Sequence, residues 1–480
     1  MATDNFGPGV SPDSINYIAA ARSLYSGHGY LYYDGTVFTV WPPLFPTILA
    51  AGISTGVDVL QFARFFNALT FGLTVFYVGL IASVLLNSRP LRAIATASAL
   101  LSFPLLKMYV MVWTEPLFIL LILIFLLRLS QVWRSEHLSI GSLAVLSAVA
   151  AVACLQRYLG LALVLCGAVF LLTSERTAWK NRLAFTAAFC TLSLLPLSLW
   201  VVRNYSLAGA PTGPRSSSST SILASARDLV VVSTNWFLPF DSALETRVAA
   251  FLLLTALIGA CLFIGAKRPQ NEEVPSGRAF VITAGLFIII YCAMLVAVTG
   301  TIALEPISQR YLSPIFPIAL LFLFKAIEKC AAWLAERGVP RKRAEALASI
   351  LSLAILVQST FTTSQAISIW RREGAGDYTH IAWERSELLD WLSRNRLDGE
   401  IYSNAADLIY LKTGIIARPL PYRGSDLAAW RRTLSADKKH YGAWFGQSFR
   451  TYLASPLEFT AAFDLKPVFS RRTELLAELK

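Results

Sequence analysis

Asp13 opens a helical pattern in SPDSINYIAAARSLYSGHGYLYYDGTVFTVWPPLFP, residues 11–46, where a carboxylate keeps company with aromatic side chains and Gly-rich turns. A carboxylate so placed can take the proton from an acceptor hydroxyl as a general base. It can equally be a helix N-cap that accepts backbone hydrogen bonds. Tyr17 and Tyr30 are candidates to contact a sugar or acceptor, or else to anchor the chain at a membrane interface. His28, between Gly27 and Gly29, is a further contact candidate. No second His or Cys stands near it at metal-ligand spacing, so a divalent metal is compatible with the loop without being called for.

A second carboxylate, Glu115, lies in Trp113-Thr114-Glu115-Pro116 directly before an apolar run. Glu ahead of a first-turn proline is ordinary helix-start chemistry, and it is also where an acceptor or a cation could be oriented. Three basic-aromatic pairs, Arg157-Tyr158, Arg203 with Tyr205, and Arg310-Tyr311, stand at the ends of apolar runs. Singly they are snorkelling anchors. Together their guanidinium forks, with Lys107 as a point charge and Tyr311 as a sugar or acceptor contact, suit a lipid phosphate.

The elements that must position these groups are membrane helices. Of 480 residues, 55% are hydrophobic and 15% charged, with a mean hydropathy of +0.55, which excludes an ordinary soluble chain. The net charge of +12 is spread through short loops between apolar runs, as orientation signals are, and gives no basis for nucleic-acid binding. Cys154, Cys166, Cys190, Cys261, Cys292 and Cys330 fall mostly inside apolar runs and imply neither a disulfide framework nor a zinc site. The opening residues MATDNFGPGVSPD are polar and turn-rich, unlike a cleavable signal peptide.

About ten runs are expected to span a bilayer, near 63–86, 93–108, 115–130, 139–154, 158–173, 183–203, 247–266, 279–299, 311–328 and 345–364. The run at 43–57 is broken by Pro and Gly and reads as an interfacial or re-entrant helix. Alternate loops differ in basic residues: one set holds Arg89, Arg92, Arg128, Arg134, Arg176, Lys180, Arg182, Lys267, Arg268 and Arg278, then Lys325 to Arg343. The other holds Lys107, Arg157, Arg203, Arg215, Arg227 and Arg310. The positive-inside rule makes the first set cytoplasmic and puts the opening stretch, the 204–246 loop and the tail outside. The expected organisation is thus a first extracytoplasmic loop with juxtamembrane helices (1–62), a transmembrane helical domain (63–365) and a small extracytoplasmic α/β domain (366–480). In the last, EIYSNAADLIYLKTGIIARPL reads as strand, helix and strand, and DLAAWRRTLSADKKHYGAWF as a helix running toward a strand.

PDSINYIAAARSLYSGHGY with WPPLFP, then WTEPLFILL, LWVVRNYSLAGAPTGPR, QRYLSPIFPIALLF and IYSNAADLIYLKTG, in that order along the chain, resemble the GT-C superfamily of polyprenyl-phosphate-dependent glycosyltransferases. The resemblance is to its aminoarabinose transferase-like and protein O-mannosyltransferase-like branch. It implies a catalytic Asp in the first extracytoplasmic loop, matched by Asp13; many members pair it with an adjacent Glu, where this chain has Ser14. It also implies a membrane helix ahead of that loop, and here twelve residues precede Asp13. The implied fold is an α-helical polytopic membrane protein, in the plasma or inner membrane of a prokaryote. The implied activity is transfer of a sugar from a polyprenyl-phosphate donor to an acceptor hydroxyl on the outer face, with membrane lipid as the other partner. The alternative is a lipid or polysaccharide transporter without covalent chemistry, which would need charge along an internal path. The middles of the apolar runs carry almost none.

Overall fold

The computed structural model describes residues 2–134, 139–173, 178–218, 220–236, 242–264, 276–303 and 305–480. Arg176, Lys267 and Arg268, which contribute to the charge asymmetry, lie outside the described residues, as do the last two residues of the span expected at 247–266. The helices run in order as α1 (Pro12–Tyr25), α2 (Leu44–Ser54), α3 (Val59–Leu85), α4 (Arg89–Leu100), α5 (Phe103–Val110), α6 (Glu115–Arg134) and α7 (Ile140–Gln156). They continue as α8 (Leu161–Thr173), α9 (Trp179–Ala208), α10 (Ile222–Thr234), α11 (Leu244–Ile264), α12 (Ser276–Thr301), α13 (Gln309–Leu312), α14 (Phe316–Glu336) and α15 (Arg341–Glu373).

Among the described residues, five helices are long and apolar enough to cross a membrane: α3, α6, α9, α12 and α15. A sixth span results if α4 and α5, bent by 42°, are taken together. The bend has a local cause. Pro104, in the first turn of α5, has no N–H with which to continue the α4 ladder. The expected spans at 139–154 and 158–173 form the 17-residue α7 and the 13-residue α8, shorter than a full crossing. The expected interfacial run at 43–57 forms the 11-residue α2.

The chain divides into two compact units. One consists of Thr39–Phe45 and Phe65–Ile367. In it α6 packs among α7, α8 and α12, with Phe118, Ile122 and Phe125 fully buried. Where α8 meets α9, a Cβ on Gly167 would lie 2.6 Å from the Phe189 ring, so the missing side chain is what allows the close approach. The Thr39–Phe45 segment, which carries Trp41-Pro42-Pro43 and runs into the start of α2, is tied into this helical unit by its backbone. The Thr39 carbonyl accepts from the Asn204 amide (3.1 Å), and the Val40 carbonyl accepts from Arg215 (2.8 Å).

The other unit comprises Met1–Phe38, Pro46–Arg64 and Ser368–Lys480, so the expected first-loop and C-terminal segments both contribute to it. After the short helices α16 (Ile381–Glu384) and α17 (Glu387–Arg394), EIYSNAADLIYLKTGIIARPL forms β1 (Glu400–Ser403), α18 (Ala406–Thr413) and β2 (Ala417–Pro419). Then follow α19 (Leu427–Arg432), β3 (His440–Phe445), α20 (Pro456–Phe459), β4 (Leu465–Arg471) and β5 (Glu474–Leu479). The sheet order is β2-β1-β3-β5-β4, parallel from β2 to β3 and antiparallel beyond. One face rests on an aromatic core of Tyr402, Trp444, Phe459 and Phe463, and α1 packs on α18. Glu400, the first residue of β1, keeps its carboxyl below the ordinary range: burial opposes this, and a hydrogen bond from Tyr402 and the Lys438 ammonium outweigh it. Tyr402 is correspondingly pushed up to about 12 by burial and by that carboxylate.

Past the end of α15 the chain turns at Gly374, whose φ of +94° disfavours any Cβ and whose Cβ would collide with the Thr379 carbonyl. Gly374→Ala is therefore expected to destabilise the sheet-containing unit by about 1–3 kcal/mol. Thermal unfolding followed by circular dichroism should show a lowered midpoint, and an unchanged midpoint would refute the strain assigned to this turn.

Candidate functional site

Glu115 is the first residue of α6, and Pro116 in its first turn needs no N–H partner, so the sequence Thr114-Glu115-Pro116 starts a helix with a carboxylate at its positive end. That carboxylate is 0% exposed. A buried charge is tolerated only when paired and hydrogen-bonded. Two guanidiniums do this from distant parts of the chain: Arg157 Nη1 and Arg310 Nε both donate to Glu115 Oε1, the latter at 2.6 Å. Arg157 Nη1 also donates to Thr114 Oγ1 (2.7 Å), and Gln156 Nε2 donates to the Thr114 carbonyl (2.9 Å). Arg310 lies over the Trp113 indole, its Cζ 4.3 Å from the ring centroid, a cation–π contact that fixes the plane of the guanidinium.

Local sequence aims each arginine. Arg157 follows the last residue of α7 in extended conformation (φ −153°, ψ 140°), and a single 3-10 turn, Tyr158–Gly160, folds back immediately after it. A Cβ on Gly160 would lie 2.5 Å from the Ala153 backbone, so glycine is what lets the turn close over α7. Arg310 belongs to the short α13, which is pinned by Tyr291 on α12: its hydroxyl donates to the Tyr311 carbonyl at 2.8 Å. Two guanidiniums thus meet on one carboxylate oxygen, and each arginine keeps a small exposed fraction, 13% and 16%. Guanidinium groups held in this way are the kind of donor that binds an anion.

The structure thus brings Glu115, Arg157 and Arg310 together. Arg203 makes other contacts, stacking on Trp200 (4.4 Å) and donating to Asn204 Oδ1 (2.9 Å). Lys107 is half-buried in the last turn of α5, and Tyr311 contributes its carbonyl to the Tyr291 bond. In the other unit, Asp13 is the second residue of α1 and half-buried. The cap of α1 is Ser11, not Asp13, because Ser11 and Ser14 form a reciprocal capping box. Asp13 instead sits in the first turn, where a carboxylate complements the helix dipole. Tyr17 is buried in α1, Tyr30 bonds Thr47 through its hydroxyl (2.8 Å), and His28 is exposed in a turn whose flanking glycines both have positive φ. Among the described residues no group of three His, Cys, Asp or Glu side chains is arranged to hold a metal ion. Sequence reading missed Gln156 and Thr114 as parts of the cluster. A glutamine closing an apolar run directly before Arg157 was the available signal.

The chain, with its long apolar helices and five-stranded mixed sheet, has a GT-C-like fold, as its likeness to solved structures shows. Three solved structures share this fold. ArnT from Cupriavidus metallidurans in the apo state matches over 99% of this chain and 95% of its own, with a TM-score of 0.58 at 13% identity. The same protein bound to undecaprenyl phosphate gives 0.54 at 14% over the same shares. The archaeal oligosaccharyltransferase AglB from Archaeoglobus fulgidus, in complex with an inhibitory peptide and a dolichol-phosphate, matches with a TM-score of 0.52 at 12% identity, over 99% of this chain and 71% of its own. No family model and no curated protein sequence matches the chain. At these identities the likeness establishes the fold.

Removing the shared carboxylate should leave two partly buried guanidiniums without their counter-charge. Glu115→Ala is expected to cost about 3–5 kcal/mol of stability, with Glu115→Gln in between. Thermal unfolding of the purified protein in detergent measures this, and midpoints equal to wild type would mean that the cluster does not hold the helix ends together.

Proposed function

We propose that the protein is a membrane glycosyltransferase that moves a sugar from a polyprenyl-phosphate donor to an acceptor hydroxyl of a lipid, glycan or protein on the extracytoplasmic face. The observation that carries this reading is the Arg157–Glu115–Arg310 cluster within a GT-C-like fold. Its two guanidinium groups, brought together at the start of α6, suit the phosphate of a lipid donor. In the transfer the bond from sugar C1 to the phosphate oxygen breaks and a bond from C1 to the acceptor oxygen forms. Polyprenyl phosphate leaves as an anion, and Arg310 with Arg157 stabilises the charge that develops on it. Lys107 and Arg203 are further cations for the same phosphate. Asp13, from the first loop, takes the acceptor proton or orients the acceptor hydroxyl, and Tyr17, His28, Tyr30 and Tyr311 are the proposed sugar or acceptor contacts.

Support for the location comes from the charge asymmetry of the loops, which orients the first loop and the arginine-bearing helix ends outward in a prokaryotic plasma or inner membrane. The neighbours solved with undecaprenyl phosphate and dolichol-phosphate support a lipid-linked donor.

The test is transfer of radiolabelled sugar from a panel of polyprenyl-phosphate sugars to endogenous lipid, glycan and protein acceptors. Wild type is expected to transfer from at least one donor, with Asp13→Asn reducing kcat about 10²–10⁴-fold. Full activity in Asp13→Asn would remove Asp13 from catalysis. Folded protein that transfers from no donor would overturn the glycosyltransferase reading.

A further inference from the structure

The sheet-containing unit holds a buried ionic cluster that no catalytic role uses. Arg450, in the loop after β3, grips Asp407 in the first turn of α18 with both arms: Nη1 to Oδ1 at 2.9 Å and Nη2 to Oδ2 at 2.7 Å. Asp407 is 1% and Arg450 12% exposed. A third group completes it, since the Tyr378 hydroxyl donates to Asp407 Oδ1 at 2.9 Å. Burial, and then the Asp407 carboxylate, hold the Tyr378 pKa well above its ordinary value, so the phenol stays a donor. Its ring is fixed between Trp383 (5.6 Å) and Phe449 (5.4 Å).

Tyr378 faces the first loop with its backbone. Its N–H donates to the Val10 carbonyl at 2.9 Å, and Val10 immediately precedes Ser11, the cap of α1. On the same side α1 packs on α18, and Tyr33, beyond α1, sets its ring 6.0 Å from Tyr410 on α18. The segment before α1 is tied a second time by the Asn5 side-chain amide, which donates to the Arg371 carbonyl at 2.7 Å. A continuous path therefore runs from Arg450 through Asp407 and Tyr378 to Val10 at the start of α1, three residues from Asp13.

We infer that Arg450, Asp407 and Tyr378 are positioning residues, through which the C-terminal α/β segment fixes the start of α1 and hence the carboxylate of Asp13. The inference rests on the proposed role of Asp13. It gives the C-terminal segment a task inside the reaction instead of a separate binding function. A bidentate Arg–Asp pair suits that task because its planar fork allows one geometry, and burial keeps solvent from competing for it.

Tyr378→Phe is the sharpest probe, since it deletes one hydroxyl and keeps the ring, and Arg450→Lys keeps the charge while losing the two-armed grip. In each, hydrogen exchange is measured across the chain together with kcat and KM. The expected result is exchange of the Ile15–Ala21 amides accelerated about tenfold, the size of one hydrogen bond to a charged group, with the β3 and β5 amides unchanged. Alongside it kcat should fall several-fold while KM for the donor holds. A purely structural cluster would instead loosen α1 and the sheet together and leave the kcat of folded protein at the wild-type value, and that result overturns the inference, as does unaltered exchange of α1. Should wild type show no transfer at all, the glycosyltransferase reading falls, while the exchange pattern still decides whether the cluster fixes α1.

Discussion

One buried carboxylate sets the constraint on the helical unit. Glu115 cannot be taken out of water alone, and the two guanidiniums that compensate it come from positions 42 and 195 residues away in the chain. For both to reach a single oxygen, the start of α6, the end of α7 and the turn at α13 must converge. The features around them follow from that requirement: Pro116 opening α6, Gly160 permitting the fold-back after Arg157, Trp113 beneath Arg310, and the Tyr291 bond holding Tyr311. The apolar packing of α6 against α7, α8 and α12 supplies most of the burial. The ion cluster ties together the ends of those helices that carry Glu115, Arg157 and Arg310.

The sheet-containing unit solves a comparable problem with the same roles. There an aspartate at the start of a short helix is compensated by one arginine held in two-armed fashion and by a tyrosine hydroxyl. In both units a carboxylate in the first turn of a helix is the fixed point, as the helix dipole favours, and long-range cations are brought to it. In the helical unit two arginines share one carboxylate oxygen. In the sheet-containing unit the charges balance, which suits a structural tie.

Much of this was readable in the residues. Glu115, Arg157 and Arg310 each carry a local signature, a carboxylate before Pro or a basic-aromatic pair at the end of an apolar run, and strand, helix and strand are visible in EIYSNAADLIYLKTGIIARPL. Their convergence was not readable, because nothing local at Glu115 says which of several cations will reach it; Arg203 has the same signature as Arg310 and stacks on Trp200 instead. The capping assignment failed for a related reason. Asp13 and Ser11 are both good cap residues, and the choice fell to Ser11 because Ser14 reciprocates its hydrogen bond. Nor could periodicity reveal that residues before the first long helix pack with residues beyond the last one, since the Tyr378–Val10 bond joins positions 368 residues apart in the chain. The short α7 and α8 show the limit of apolar runs as a guide to spans: composition marks a run as buried without fixing where its helix stops.

The central claim is that the Arg157–Glu115–Arg310 cluster receives a lipid-linked phosphate, and calorimetric titration with undecaprenyl phosphate in detergent tests it most directly. Wild type should bind, and Arg310→Gln, which keeps a donor but loses the charge, should bind about ten- to a hundredfold more weakly, the scale of a charge-assisted hydrogen bond. Equal affinity of the two proteins, with Arg310→Gln shown to be folded, would contradict the account.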